Sequence, residues 1–435
     1  MLHMRFPVSL KLLLKSSAAL LVVAGLSGQA GVGAGADGRP RDKTFHWVAT
    51  WAASPSPASP DPAQMRRRKM EFNDQTVREI VHITLGGAQF RVRLSNAFGA
   101  QALAIGAAHL AIREQGAAIM AGSDRALTFG GRPAVSIPPG ALVLSDPVDL
   151  KAPASADLAM SLYLAAGPTI ASTLHYSAQQ TSYVGAGDLC AAPRMPADSP
   201  VTSWPFLTGV DVMAPKAGAA IVTFGDSITD GSRSTADTNR RWPNILANRL
   251  LAERKNHLAV INAGIGGNRI LHDGAGANGP QYGPSALARF ERDVLAQPGV
   301  EYVIVLEGVN DIGHPGGAAP MSEDVSAQDM IAGLRQLIER AHERGLKIFC
   351  ATIMPFTAAP LTASSSPKED KRQAVNQWIR GRNDFDGVID FDKTVRDPVQ
   401  PVQFLAAYDS GDHLHPNDAG HKAMGEAVEL SLFSR

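Results

Sequence analysis

From about Phe45 to Met213 apolar and polar residues alternate with a period of two, and turn residues interrupt the pattern often. Within Thr76–Leu85, Val77, Val81, Ile83 and Leu85 fall on one face, while Arg78, His82 and Thr84 fall on the other. Gly86-Gly87 follows, and Phe90, Val92 and Leu94 then alternate with Gln89, Arg91 and Arg93, so the two runs read as a β-hairpin. Leu158, Met160, Leu162 and Leu164 repeat the alternation after turn signals at Gly130-Gly131 and Pro138-Pro139-Gly140. A series of short half-buried strands of this kind predicts an antiparallel β-sandwich over residues 45–213.

From Ala219 the period changes. Apolar runs at Ala220–Phe224, Leu258–Ala263, Tyr302–Leu306, Leu346–Ile353 and Gly387–Phe391 are separated by amphipathic stretches near Trp242–Glu253, Ser285–Ala296, Ala327–Glu343 and Lys368–Arg380, with a last one near Asp418–Leu432. Parallel strands need helical crossovers, so this order predicts a three-layer α/β parallel sheet over residues 219–435. Ligand sites in such sheets lie beyond the carboxyl ends of the strands. A chain of 435 residues also exceeds the roughly 250–300 residues at which single cores stop growing, which predicts two domains.

Composition narrows the function classes. Hydrophobic residues make up 45% of the chain and charged residues 19%, as in ordinary globular proteins. The 41 basic and 41 acidic residues give a net charge of +0, so no broad basic field exists to attract nucleic acid or an anionic membrane. At the N-terminus, Arg5, Lys11 and Lys15 precede the apolar run Ala18–Leu26 and then small residues through Ala30 and Ala36. That order reads as a secretory signal and linker over residues 1–36, too short in its apolar part for a membrane-spanning helix. The expected location is secreted or periplasmic, without stable membrane insertion. Export permits a Cys190–Cys350 disulfide, but nothing in the spacing demands it, and Cys350 lies in the apolar run Ile348–Ile353, where a buried free thiol is the simpler expectation.

The candidate chemistry sits at strand ends. Gly225-Asp226-Ser227-Ile228-Thr229-Asp230-Gly231 follows the first α/β strand, so Ser227 either starts a helix as a cap or exposes a nucleophilic hydroxyl. Asn262-Ala263-Gly264-Ile265-Gly266-Gly267-Asn268 follows the second strand, and Glu307-Gly308-Val309-Asn310-Asp311 the third. Backbone N–H groups and an Asn side chain converging from such loops can stabilise an oxyanion. A dinucleotide loop fails on Arg269, which occupies the last position of G-x-G-x-x-G. Near the C-terminus, Asp412-His413-Leu414-His415-Pro416 sets a carboxylate three residues before an imidazole, close enough to orient it.

These four segments, in this order, resemble the marker blocks of a GDSL-type hydrolase of the SGNH superfamily. The resemblance spans about 190 residues of the C-terminal half and implies a flavodoxin-like fold. It further implies Ser227, His415 and Asp412 as catalytic residues, with the Ser227 and Gly267 backbone N–H groups and the Asn310 side chain as the oxyanion hole. Gly-Asp-Ser-Ile-Thr stands where the family has Gly-Asp-Ser-Leu-Ser, a change that leaves the nucleophile in place. The sandwich together with Arg241-Trp242-Pro243 is similar to a bacterial subgroup akin to xylan-processing esterases. The sandwich is expected to pack against or shape the pocket, or else to bind carbohydrate.

The function implied is acyl-ester hydrolysis with no metal or organic cofactor, on a small-molecule or polysaccharide ester, short-chain or acetyl. Lysophospholipid and thioester substrates present the same carbonyl. Two rivals stand beside it: a secreted carbohydrate-binding protein with an inactive hydrolase-like domain, and a metal-dependent hydrolase built on Asp226, Asp412, His413 and His415. Specificity is expected from the loops Asn268–Gly283 and His314–Gln328, rich in Gly, Pro and Ala.

Overall fold

The structure, a computed structural model, describes residues 44–434 except 166, 197–198, 357–365 and 382–383. The stretch read as signal and linker lies outside the described residues.

The antiparallel part is built on β1 (Phe45–Ala52), β2 (Gln75–His82), β3 (Gly87–Ser95), β4 (Ala107–Gln115), β5 (Asp157–Leu164), β6 (Thr173–His175), β7 (Ser182–Ala186) and β8 (Leu207–Pro215), with shorter strands between them. One sheet runs β1-β8-β3 and the other includes β7-β2-β5-β4. Their inner faces enclose one core, in which Val77 and Val81 meet Phe90, Val92, Leu94, Leu158, Met160 and Leu162. This is a β-sandwich.

The expected hairpin between the Thr76–Leu85 and Phe90–Leu94 runs does not form. β2 pairs with β5 and β7, whereas β3 pairs with β8, so the two strands lie in opposite sheets. Both present apolar faces to the same core, and facing one another across it buries more than sharing an edge would. Gly86 carries the chain across, and a side chain there would collide with the backbone of Pro153 and Ala154.

The α/β part follows as β9 (Ala219–Gly225), α1 (Ser227–Asp230), α2 (Trp242–Ala252), β10 (Leu258–Gly264), α3 (Ala286–Phe290), β11 (Val300–Leu306), α4 (Val309–Gly313), α5 (Ala327–Glu343), β12 (Lys347–Ala351), α6 (Ser366–Arg380), β13 (Gly387–Ile389), α7 (Phe391–Val395) and α8 (Asp418–Ala427). All five strands are parallel, in the order β10-β9-β11-β12-β13. This is the flavodoxin-like order, and its direction reverses at β9. Several boundaries differ from the sequence reading, two of them towards the C-terminus. Asp390 accepts a hydrogen bond from Lys393 N and caps α7, which ends β13 before Phe391. The last helix stops at Ala427 and is followed by a short 3₁₀ turn, Leu430–Phe433.

The described residues fall within one compact unit. Ala220 and Ala259 of the parallel sheet pack into the sandwich core, while Ala49 and Ala52 of β1 pack into the α/β core. Thr84 on the sandwich side donates to the Val260 carbonyl at 3.0 Å. Cys190 and Cys350 are both buried free thiols. Among the described residues no helix is long and apolar enough to cross a membrane.

Candidate active site

Register sets the site's frame. Gly225 of β9 is level with Gly264 of β10 and Leu306 of β11, so the three loops that follow leave the sheet side by side at the point where strand order reverses. Ser227 opens α1 after Asp226, whose carboxylate accepts from Ile228 N at 2.9 Å and caps the helix. The loop after β10 passes very close to this turn, because a Cβ on Gly264 would sit 2.3 Å from Asp230 N. Only glycine permits that approach.

The structure joins Ser227 to a residue 188 positions away. His415 Nε2 lies 2.8 Å from Ser227 Oγ, and its Nδ1 lies 2.9 Å from Asp412 Oδ2. A carboxylate only accepts, so Nδ1 carries the proton and Nε2 is left to accept from the Ser227 hydroxyl. Asp412 Oδ1 accepts from the backbone N–H groups of Leu414 and His415, and Oδ2 also accepts from Arg233. Partial burial works against the Asp412 charge, but the His415 ring and backbone bonds outweigh it and hold the carboxylate far below its ordinary range. A serine so bonded can lose its proton to the imidazole as it attacks a carbonyl.

Gly267 and Asn310 line the same cleft as Ser227 and His415. Gly267 takes a φ of +80°, and a Cβ there would enter the Tyr282 ring. Asn310, in the first turn of α4, donates one amide hydrogen to the Asn268 carbonyl at 2.9 Å. That bond fixes the amide and leaves its second hydrogen for the cleft. The neighbouring Asp311 takes the backbone N–H groups of Ile270 and Leu271 and ties the two loops together. Burial pushes its carboxyl up to about 6 in spite of those bonds.

The four residues of the metal alternative do not converge. Asp226 caps α1 in the interior, whereas His413 turns away at a φ of 60° and pairs with Asp409. Among the described residues no group of three or more His, Cys, Asp or Glu side chains forms a metal-binding cluster.

Residues 223–423 match the model of the GDSL-like lipase/acylhydrolase family. The α/β part of the chain is thus similar to GDSL-like lipases/acylhydrolases. It contains every residue of the Ser227–His415–Asp412 series. Solved structures similar to the chain include a GDSL-like lipase from Bacteroides thetaiotaomicron, with 18% identity over 49% of this chain and 87% of its own and a TM-score of 0.36. Another is a variant of an acetyl-xylooligosaccharide esterase from Geobacillus stearmophilus, with 21% identity over 51% of this chain and 97% of its own and a TM-score of 0.38. No curated protein matched the chain.

Two features around the cleft carried no readable sequence signal. The first is Arg289 in α3, fully buried beneath the cleft. It donates to the carbonyls of Gly225 and Ala263, to Asn268 Oδ1, and to Asp293 and Glu307, so one guanidinium ties together the ends of β9 and β10 and the loop below Gly267. Burial pushes the Glu307 and Asp226 carboxyls up, Arg289 notwithstanding. The second is the wall supplied by the sandwich, where Ser56, His175, Tyr176 and Ser177 face the cleft. The opposite wall holds Tyr282 against His314, whose imidazole is pulled down to about 4 by burial and by nearby Arg269 and Lys368. His314 is therefore neutral at physiological pH.

Proposed function

We propose that this protein is a secreted serine ester hydrolase that releases short-chain acyl groups, acetyl among them, from neutral alcohols through an acyl-enzyme. The observation that carries the reading is the unbroken series Ser227 Oγ, His415 and Asp412, with separations of 2.8 and 2.9 Å. Ser227 Oγ attacks the ester carbonyl while its proton passes to His415 Nε2. The oxyanion is held by the Ser227 and Gly267 backbone N–H groups and the free Asn310 amide hydrogen. Collapse expels the alcohol, which leaves with the proton from His415. Water then attacks the acyl-enzyme, giving its proton to His415, and the acid departs as Ser227 Oγ is reprotonated.

The cleft holds about 590 Å³, the size of a small-molecule site. The balanced charge of the chain favours an uncharged substrate over a polyanion. Sandwich residues in the cleft wall favour a pocket-shaping role for that part. Secretion rests on the N-terminal order of charge, apolar run and small residues.

A fluorophosphonate probe tests the mechanism. Covalent labelling at Ser227, lost in Ser227→Ala, together with hydrolysis of 4-nitrophenyl acetate, is the expected result. A folded wild-type protein that neither labels nor hydrolyses overturns the reading. N-terminal sequencing of the protein recovered outside the cytoplasm tests export.

A further inference from the structure

His175 and Asp230 meet at the seam between sandwich and α/β part. His175 Nδ1 faces the Ser54 carbonyl at 3.0 Å and its Nε2 faces Asp230 Oδ1 at 2.9 Å. Both partners are acceptors, so both ring nitrogens carry hydrogen and the ring is an imidazolium paired with a carboxylate. Burial opposes that charge, but Asp230 outweighs it and holds His175 above the usual imidazole value. The pair leaves one atom over. Asp230 Oδ2 is buried with no hydrogen-bond partner, on a side chain only 5% exposed. A lone carboxylate oxygen kept from water is costly unless something donates to it.

Asp230 borders the cleft, with Oδ2 just beneath its surface. Asp230 and His175 line it together with Ser227 and Gly266. A methyl group built on Gly266 would lie 3.8 Å from Ser227 Cβ and 3.9 Å from Asp230 Oδ2, so both side chains flank the same glycine of the cleft floor. We propose that Asp230 Oδ2 accepts a hydrogen bond from a substrate hydroxyl, which makes the enzyme selective for esters of alcohols that carry a second, free hydroxyl next to the ester. This rests on the ester hydrolase reading above. The required partner is a neutral donor rather than a cation, because His175 already balances the carboxylate and the Arg241 guanidinium lies near enough to act on it. A hydroxyl fits, and an ether oxygen does not.

The test compares 2-hydroxyethyl acetate with 2-methoxyethyl acetate as substrates of the full-length protein. Wild type is expected to prefer the hydroxyl-bearing ester by roughly 10-fold or more in kcat/KM, the size of one charge-assisted hydrogen bond. In Asp230→Asn, whose amide turns an N–H towards the cleft, both oxygens can accept, and the ratio is expected to fall to about 1–3. Gly266→Ala is the second variant. Its methyl makes only ordinary van der Waals contacts, and it covers the approach to Oδ2, so it should narrow the ratio in the same way. A wild type that hydrolyses both esters equally, or variants that keep the preference, overturns the assignment of Asp230 and leaves the hydrolase reading standing. Failure of wild type on 4-nitrophenyl acetate as well overturns both.

Discussion

His175 on β6 of the sandwich and Asp230 at the end of α1 form a buried ion pair at 2.9 Å, three residues beyond Ser227. The turn that presents Ser227 is thus braced from the antiparallel part of the chain. Breaking such a pair by removing one member typically costs about 3–5 kcal/mol, because a charge is left buried alone. His175→Leu should lose stability of that order near pH 6, read as urea midpoint or Tm. The folded imidazole is held above its ordinary value, so its contribution is complete below about pH 6.5 and fades as pH rises through the raised value. The gap between wild type and His175→Leu should therefore narrow from about pH 6 to pH 9. A constant gap would mean that the ring is neutral in the folded protein.

Asp412 accepts from two side chains of different worth. Asp412→Asn should lower kcat by roughly 10⁴-fold, since the amide favours the wrong tautomer of His415. Arg233 also bonds Asp412, but its side chain is 61% exposed, and exposed pairs contribute about 0–1 kcal/mol. Arg233→Ala should change kcat by less than about 5-fold. A large loss in Arg233→Ala would show that Asp412 depends on it for position.

Asn310→Ala should reduce kcat on 4-nitrophenyl acetate by roughly 100–1000-fold, as expected when one oxyanion donor is removed. The bond to Asn268 is lost as well, at about 1 kcal/mol, which a thermal melt registers separately. Unchanged turnover would remove Asn310 from the site.

Gly267→Ala places a side chain at a φ of +80° and into the Tyr282 ring. The backbone strain alone is worth about 1–3 kcal/mol. A lower Tm and a parallel fall in kcat/KM are expected. A variant with wild-type values in both would mean that the loop shifts freely.

Arg289→Met removes the one cation that contacts both Asp293 and Glu307 and the β9 and β10 ends. Stability should fall by about 3–5 kcal/mol by chemical denaturation. Arg289 touches no cleft surface, so its effect on activity should follow the folded fraction.

Much of this could be read from local pattern. The strand and helix runs from Ala219 onward follow from residue period, and the observed strands Leu258–Gly264 and Val300–Leu306 lie within two residues of the expected ones at each end. The hairpin expected at Gly86-Gly87 failed because the choice of partner strand is a long-range matter. Two alternating runs joined by a glycine turn look the same whether they share an edge or face each other across a core. Arg289 and His175 carried no signal for a similar reason. A single Arg in an amphipathic helix, or a single His in a short strand, looks like any surface residue until its neighbours are known.

The sequence by itself determined the order of elements, the parallel sheet and the identity of the four chemistry-bearing loops. Periodicity and turn chemistry are properties of neighbouring residues, and parallel pairing follows from the helices between strands. Tertiary structure alone decided that Ser227 and His415 touch, that Arg289 ties the strand ends beneath them, and that a sandwich histidine bonds one Asp230 oxygen and leaves the other without a partner beside the cleft. Those relations depend on distances between segments up to 188 residues apart, which only the packing of two interlocked cores sets.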